Sequence, residues 1–90
     1  MLFYKGISKK ALYNLNSYNY LPCKFSARYN TCILYLSKSK KVAETYARNL
    51  DGFVLTITEN NLSIHKSNHS NQFICLNSIP RKNIIEVEKA

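Results

Sequence analysis

Ninety residues, 46% of them hydrophobic, suffice for one domain and exclude two, because a chain this short buries only about 60% of its unfolded surface around a thin core. The net charge of +8 is lopsided: residues 1–50 hold nine Lys/Arg against the single acid Glu44, whereas residues 51–90 balance, which points to a polyanion or an acidic protein as partner, or to a need for solubility. No stretch approaches the ~18 apolar residues of a membrane span, and Met1–Gly6 lacks the charged start and apolar run of a secretory signal, so no membrane contact and a cytosolic location are expected.

Leu2–Tyr4 is a short apolar run halted by Gly6, and Ser8 is placed to cap a short helix from Lys9 to Leu15. Residues 16–31, rich in Asn, Ser and Tyr around Pro22, show no sustained period and predict a surface loop carrying Lys24 and Arg28. Cys32–Leu36 predicts a central strand, and Ser39 offers the N-cap of a second helix. In that helix Val42, Ala43, Tyr46, Ala47 and Leu50 share one face and Lys41, Glu44, Thr45 and Arg48 the other, with Gly52 suited to a left-handed terminus.

Phe53–Thr58 alternates with period two, its Phe/Leu/Ile face turned to a core and its Thr face to a wetter surface. After a turn at 59–61 come a short strand from Leu62 to His65, a polar tip from Lys66 to Asn71, and strands at Phe73–Leu76 and Ile84–Val87. The last two are separated by residues 77–80, where Pro80 bars a continued ladder. Two short helices with about six strands give an α+β single domain over residues 1–90.

Three segments carry a family likeness. Leu2-Phe3-Tyr4-Lys5-Gly6-Ile7-Ser8 is a strand closing on Lys-Gly. Leu34-Tyr35-Leu36-Ser37-Lys38-Ser39 runs through a serine turn into Val42-Ala43-Glu44-Thr45-Tyr46-Ala47. Asn71-Gln72 precedes Phe73–Leu76, then Ile79-Pro80 and Ile84. In this order they resemble the ADP-ribosyltransferase superfamily, in particular its small bacterial and phage branches with DNA-targeting toxins and RNA 2′-phosphotransferases.

The resemblance implies a mixed or antiparallel sheet with a cofactor site formed by Lys5, Gly6, Ser37 and Ser39, to which NAD binds if the cleft is retained. Lysine stands where the family has Arg or His, and Gln72 stands where it has its catalytic glutamate. Cleaving the nicotinamide–ribose bond builds positive charge on the sugar, and a neutral amide supplies neither the countercharge nor a base, a loss of about a hundredfold or more in rate. The resemblance therefore implies an inactive site with no resident cofactor.

Each of these residues also has a plainer role: Lys5 as a solvated strand end, Ser39 as a helix cap, Gln72 as a surface side chain. Cys23, Cys32 and Cys75 are an odd set at wide spacing, read as reduced thiols. With His65 and His69 they offer zinc-ligand types but no C-x-x-C pair, so no metal is expected and the histidines are assigned no chemistry. Lys9, Lys10, Lys24, Arg28, Lys38, Lys40, Lys41 and Arg48 are interleaved with Tyr13, Tyr18, Tyr20, Tyr29 and Tyr35. Lysine and arginine meet phosphates and tyrosine stacks on unpaired bases, so this mixture suits nucleic acid. Alternatively Tyr13, Tyr35 and Tyr46 belong to the core and the lysines maintain solubility.

The leading expectation is a non-catalytic ADP-ribosyltransferase-like binding module whose basic half engages nucleic acid or an acidic protein, in the role of a phage-encoded inhibitor of a host defence or toxin complex. An active enzyme transferring ADP-ribose from NAD through Gln72, Ser37 and Lys5 is the alternative from another class. An antitoxin-like or structural partner protein is the third.

Overall fold

The computed structural model describes residues 1–69 and 71–90; position 70, inside the expected polar tip, lies outside them. In chain order the elements are β1 (Leu2–Ile7), α1 (Lys9–Tyr18), β2 (Tyr20–Leu21), β3 (Lys24–Ser26), β4 (Thr31–Ser37) and α2 (Lys40–Asn49). Then follow β5 (Phe53–Thr58), β6 (Ile64–Lys66), β7 (Gln72–Cys75), β8 (Ile79–Pro80), a 3-10 turn at Arg81–Asn83, and β9 (Ile84–Lys89). Two helices on a sheet whose pairings among the described residues are all antiparallel make the α+β class.

The main sheet runs β6-β7-β4-β1-β5-β9, with β3 added to the start of β4, while β2 and β8 form a separate two-stranded ladder. Strand β1 has unequal neighbours. It pairs with β5 along its whole length, from Leu2↔Thr58 to Ile7↔Phe53, but with β4 only at Tyr4↔Ser37. The sheet therefore splits on that side of β1.

Two apolar clusters hold the layers together. Phe3, Ile7, Leu15, Leu21, Leu34, Leu36, Leu55, Ile57, Cys75 and Ile79 form the larger, under α1 and the small ladder. Ala43, Ala47 and Val54 form the smaller, with Tyr4 and Ala90 against it. Both faces of β5 are consequently covered: Val54 and Thr56 are buried along with Leu55 and Ile57, so its threonine face is not the wetter surface that alternation predicts.

Local capping is as the residue types demand. Ser8 Oγ accepts from Ala11 N at 3.1 Å and Ser39 Oγ accepts from Val42 N at 3.2 Å, each satisfying a donor of a helix's first turn. Helix α1 runs three residues past Leu15 because Asn19, at φ 63°, takes the left-handed conformation that ends it. The expected loop of residues 16–31 instead supplies β2 and β3, and Leu21 within it is buried. Among the described residues nine strands replace about six, most of the excess being these two- and three-residue pieces. Pro80 itself pairs with Tyr20 in the two-residue β8, and that strand ends at it. The strand expected from Leu62 to His65 lies at Ile64–Lys66.

The end of α2 uses a different residue from the one the sequence suggests. Asp51, at φ 51°, is the left-handed position; its N–H reaches Arg48 O at 3.1 Å and Gly52 N–H reaches Ala47 O at 2.8 Å, a Schellman closure. Gly52 has no positive φ and is required for another reason: a Cβ there would lie 1.9 Å from Ile7 O. Gly6 similarly lets α2 sit low on β1, since a Cβ would lie 2.6 Å from Ala43 O. With backbone so near backbone only Ala43 and Ala47 fit beneath α2, and Val42, Tyr46 and Leu50, predicted to join the core, are displaced outward and exposed.

Candidate functional site

Ser37 pairs with Tyr4 on one edge of β4 and with Gln72 on the other. The three segments of the family likeness are thereby joined at one level of the sheet. Lys5, Gly6, Ser37 and Gln72 line a single groove of about 350 Å³, with Tyr46 of α2 and His69 on its walls. Ser39 is not in it; its hydroxyl is occupied at the helix cap, and it borders a separate depression with Lys41.

The polar groups of this groove are fixed by neighbours. Ser37 Oγ donates to Ser39 O at 3.2 Å and accepts from Ser39 N at 3.0 Å, which folds the serine turn back on itself. Gln72 Oε1 accepts from the buried Ser67 hydroxyl at 3.0 Å, and that hydroxyl accepts from His69 N at 3.2 Å. The arrangement aims the Gln72 amide by a hydrogen bond specific to its carbonyl oxygen.

Lys5 stands at the split itself. Its Nζ donates to Tyr35 O at 2.9 Å, filling with a side chain the place where β1 and β4 make no backbone bond. Burial, and then the charge of Lys24, depress its pKa to about 8, partly opposed by Cys75. On its other flank Lys5 opens into a larger groove of about 670 Å³, which Lys10 of α1 and Lys24 and Phe25 of β3 also line. No Asp or Glu lines either groove among the described residues.

The rest of the basic set is dispersed. Lys9 pairs with Asp51 at 3.3 Å and Lys40 with Glu88 at 2.6 Å. Lys38 lies over the Phe73 ring at 5.0 Å and Arg28 over Tyr29 at 5.9 Å. Lys41 and Arg48 are exposed on α2. Tyr18 and Tyr20 stack on each other at 5.9 Å between centroids and are solvent-exposed. Tyr13, Tyr35 and Tyr46 are exposed as well, so the core does not account for them.

Sequence reasoning missed Phe25 and Tyr46 as groove residues. Phe25 fell in a stretch without period, and Tyr46 fell on the apolar face of α2. The only signal for Tyr46 was its bulk beside alanines at positions 43 and 47. The cysteines are free, Cys75 buried and Cys32 exposed, and the Cys75 thiol is pushed up by burial. His65 Nε2 contacts Ser63 Oγ at 2.9 Å, and among the described residues no three His, Cys, Asp or Glu side chains are grouped to hold a metal. Among the described residues no helix is long and apolar enough to cross a membrane. No family model matches the chain, and neither does any curated protein or solved structure.

Proposed function

We propose that this chain is a non-catalytic binding module with an ADP-ribosyltransferase-like site, and that its basic half engages nucleic acid. One observation carries the reading: Lys5, Ser37 and Gln72, from three separate segments, line one groove that contains no carboxylate among the described residues. A sugar cation forming there would meet the Lys5 ammonium and a neutral amide, an electrostatic setting that opposes bond cleavage while still offering hydrogen bonds to a ribose. Nucleic acid is favoured over an acidic protein because exposed aromatic rings accompany the cations, and unpaired bases use such rings whereas carboxylates do not.

Incubation with nicotinamide-labelled NAD, alone and with RNA, DNA or protein acceptors, tests the catalytic half. The expected outcome is no nicotinamide release, together with a melting temperature that climbs as NAD or ADP-ribose is added. Release that disappears in Gln72→Ala would make the chain an active transferase and overturn the reading. Polarisation with labelled oligonucleotides at several salt concentrations tests the other half, the expected result being affinity that falls steeply with salt.

A further inference from the structure

The larger groove is chemically unlike the one beside Gln72. Its cations come from three elements, Lys5 from β1, Lys10 from α1 and Lys24 from β3, and none of them takes part in an ion pair among the described residues. Lys5 directs one N–H at Tyr35 O, which leaves two donors without a protein acceptor among the described residues. The rest of the lining mixes apolar residues such as Ala11, Leu21 and Ile33 with Ser8, Asn14 and Ser26, and Phe25 within it is 65% exposed. Phe25 lines the same groove as the three lysines and leaves most of its surface to solvent. Its ring face suits a heteroaromatic base.

Resting on the nucleic-acid reading above, we propose that this groove seats one nucleotide of an unpaired strand, its phosphate on Lys5, Lys10 and Lys24 and its base on Phe25. The volume of about 670 Å³ falls within the roughly 300–1,000 Å³ of small-molecule sites, so a single nucleotide fits and a duplex does not. Three like charges around one hollow repel each other, which is the condition a dianionic or monoanionic phosphate relieves. Burial first, and then the charge of Lys24, lower the Lys5 pKa to about 8.

A labelled single-stranded oligoadenylate, measured by polarisation at low salt, decides the matter. Lys24→Ala and Phe25→Ala are each expected to weaken binding about tenfold, with Lys82→Ala, an exposed lysine outside the groove, changing it less than about twofold. Adenosine 5′-monophosphate should compete better than adenosine or inorganic phosphate alone. Because Lys24 and Phe25 are exposed, their variants should melt as the parent does, and the melting curve is recorded for each.

Equal, small losses for Lys24→Ala and Lys82→Ala, or full binding by Phe25→Ala, would overturn the groove while leaving the nucleic-acid reading intact. Absence of any oligonucleotide binding by the parent chain would remove both. Polyglutamate binding as tightly, with the same loss on Lys24→Ala and none on Phe25→Ala, would assign the groove to acidic protein instead.

Discussion

On its β5 side, β1 is held by six register pairs; on its β4 side it is held by one, Tyr4↔Ser37. The β5 side continues into β9 and is covered by α2, so backbone groups there find backbone partners and side chains there find apolar neighbours. Toward β4 the gap is bridged by a side chain, Lys5 to Tyr35 O, and both grooves open beside it. The ladder side supplies stability, its strands paired along their length and its apolar side chains enclosed. The split side opens into the grooves instead, in keeping with the tendency of functional sites to sit where regular pairing stops.

The contrast is broken most severely at Gly52. A methyl group there collides with Ile7 O at the closed end of the β1–β5 ladder, and backbone on both sides leaves it nowhere to go. Gly52→Ala should cost more than about 4 kcal/mol, abolishing cooperative melting followed by circular dichroism. Next comes the core itself: Leu55→Ala removes a fully buried side chain from the ladder side and should cost about 3 kcal/mol. On the split side Phe25→Ala, despite the larger ring, should cost less than about 0.5 kcal/mol because Phe25 is mostly exposed. Comparable losses at the two positions in urea titrations would erase the proposed division of labour.

Asn83 is a smaller break in the same ladder. It is buried, and its Nδ2 donates to Thr58 O at 2.9 Å and Asn60 O at 2.7 Å, tying the turn after β5 to the start of β9. Asn83→Leu removes both hydrogen bonds made by a buried side chain and should cost about 2 kcal/mol in the same titration.

How much of this was legible depends on the range over which each residue acts. The helix caps at Ser8 and Ser39 and the strand character of 53–58 are local matters, and residue type alone announces them. The exposure of Tyr46 is not local: it follows from Gly6 drawing α2 against β1, a contact between residues forty positions apart in sequence. β3 was invisible because three residues are too few to show alternation, and the convergence of Lys24 on Lys5 was hidden with it. The chain has two glycines, yet Asn19, Asn30, Asp51, Asn61 and Asn71 all hold positive φ. Asparagine is doing much of glycine's turn-making here, which composition by itself could not separate from mere abundance. In the candidate site, Lys5, Gly6, Ser37 and Gln72 were each named from the sequence; that they line one groove depends on Ser37 pairing with two strands at once.

The finest distinction between the two sides is a matter of protons. Lys5 faces Tyr35 O from β4, Lys24 from β3 and the Cys75 thiol from β7, and burial together with Lys24 holds its pKa near 8 against an ordinary value of 10.5. The folded pKa lies below the unfolded one, so between pH 8 and 10.5 the unfolded chain binds a proton that the folded chain has released, and stability rises with pH across that window. Below pH 8 both states carry the proton and the full penalty of enclosing the charge remains. Allowing for solvent at the split, the gain is about 1–2 kcal/mol. Lys5→Met loses the bond to Tyr35 O at every pH, which shifts its stability by a constant, but it also loses the titration. The difference between parent and variant, measured by urea unfolding at pH 7, 8.5 and 10, should therefore grow in the parent's favour as pH rises. A difference that stays flat would mean that the ammonium is solvated, that the repulsion from Lys24 is screened, and that the split exerts no electrostatic pull on an anion.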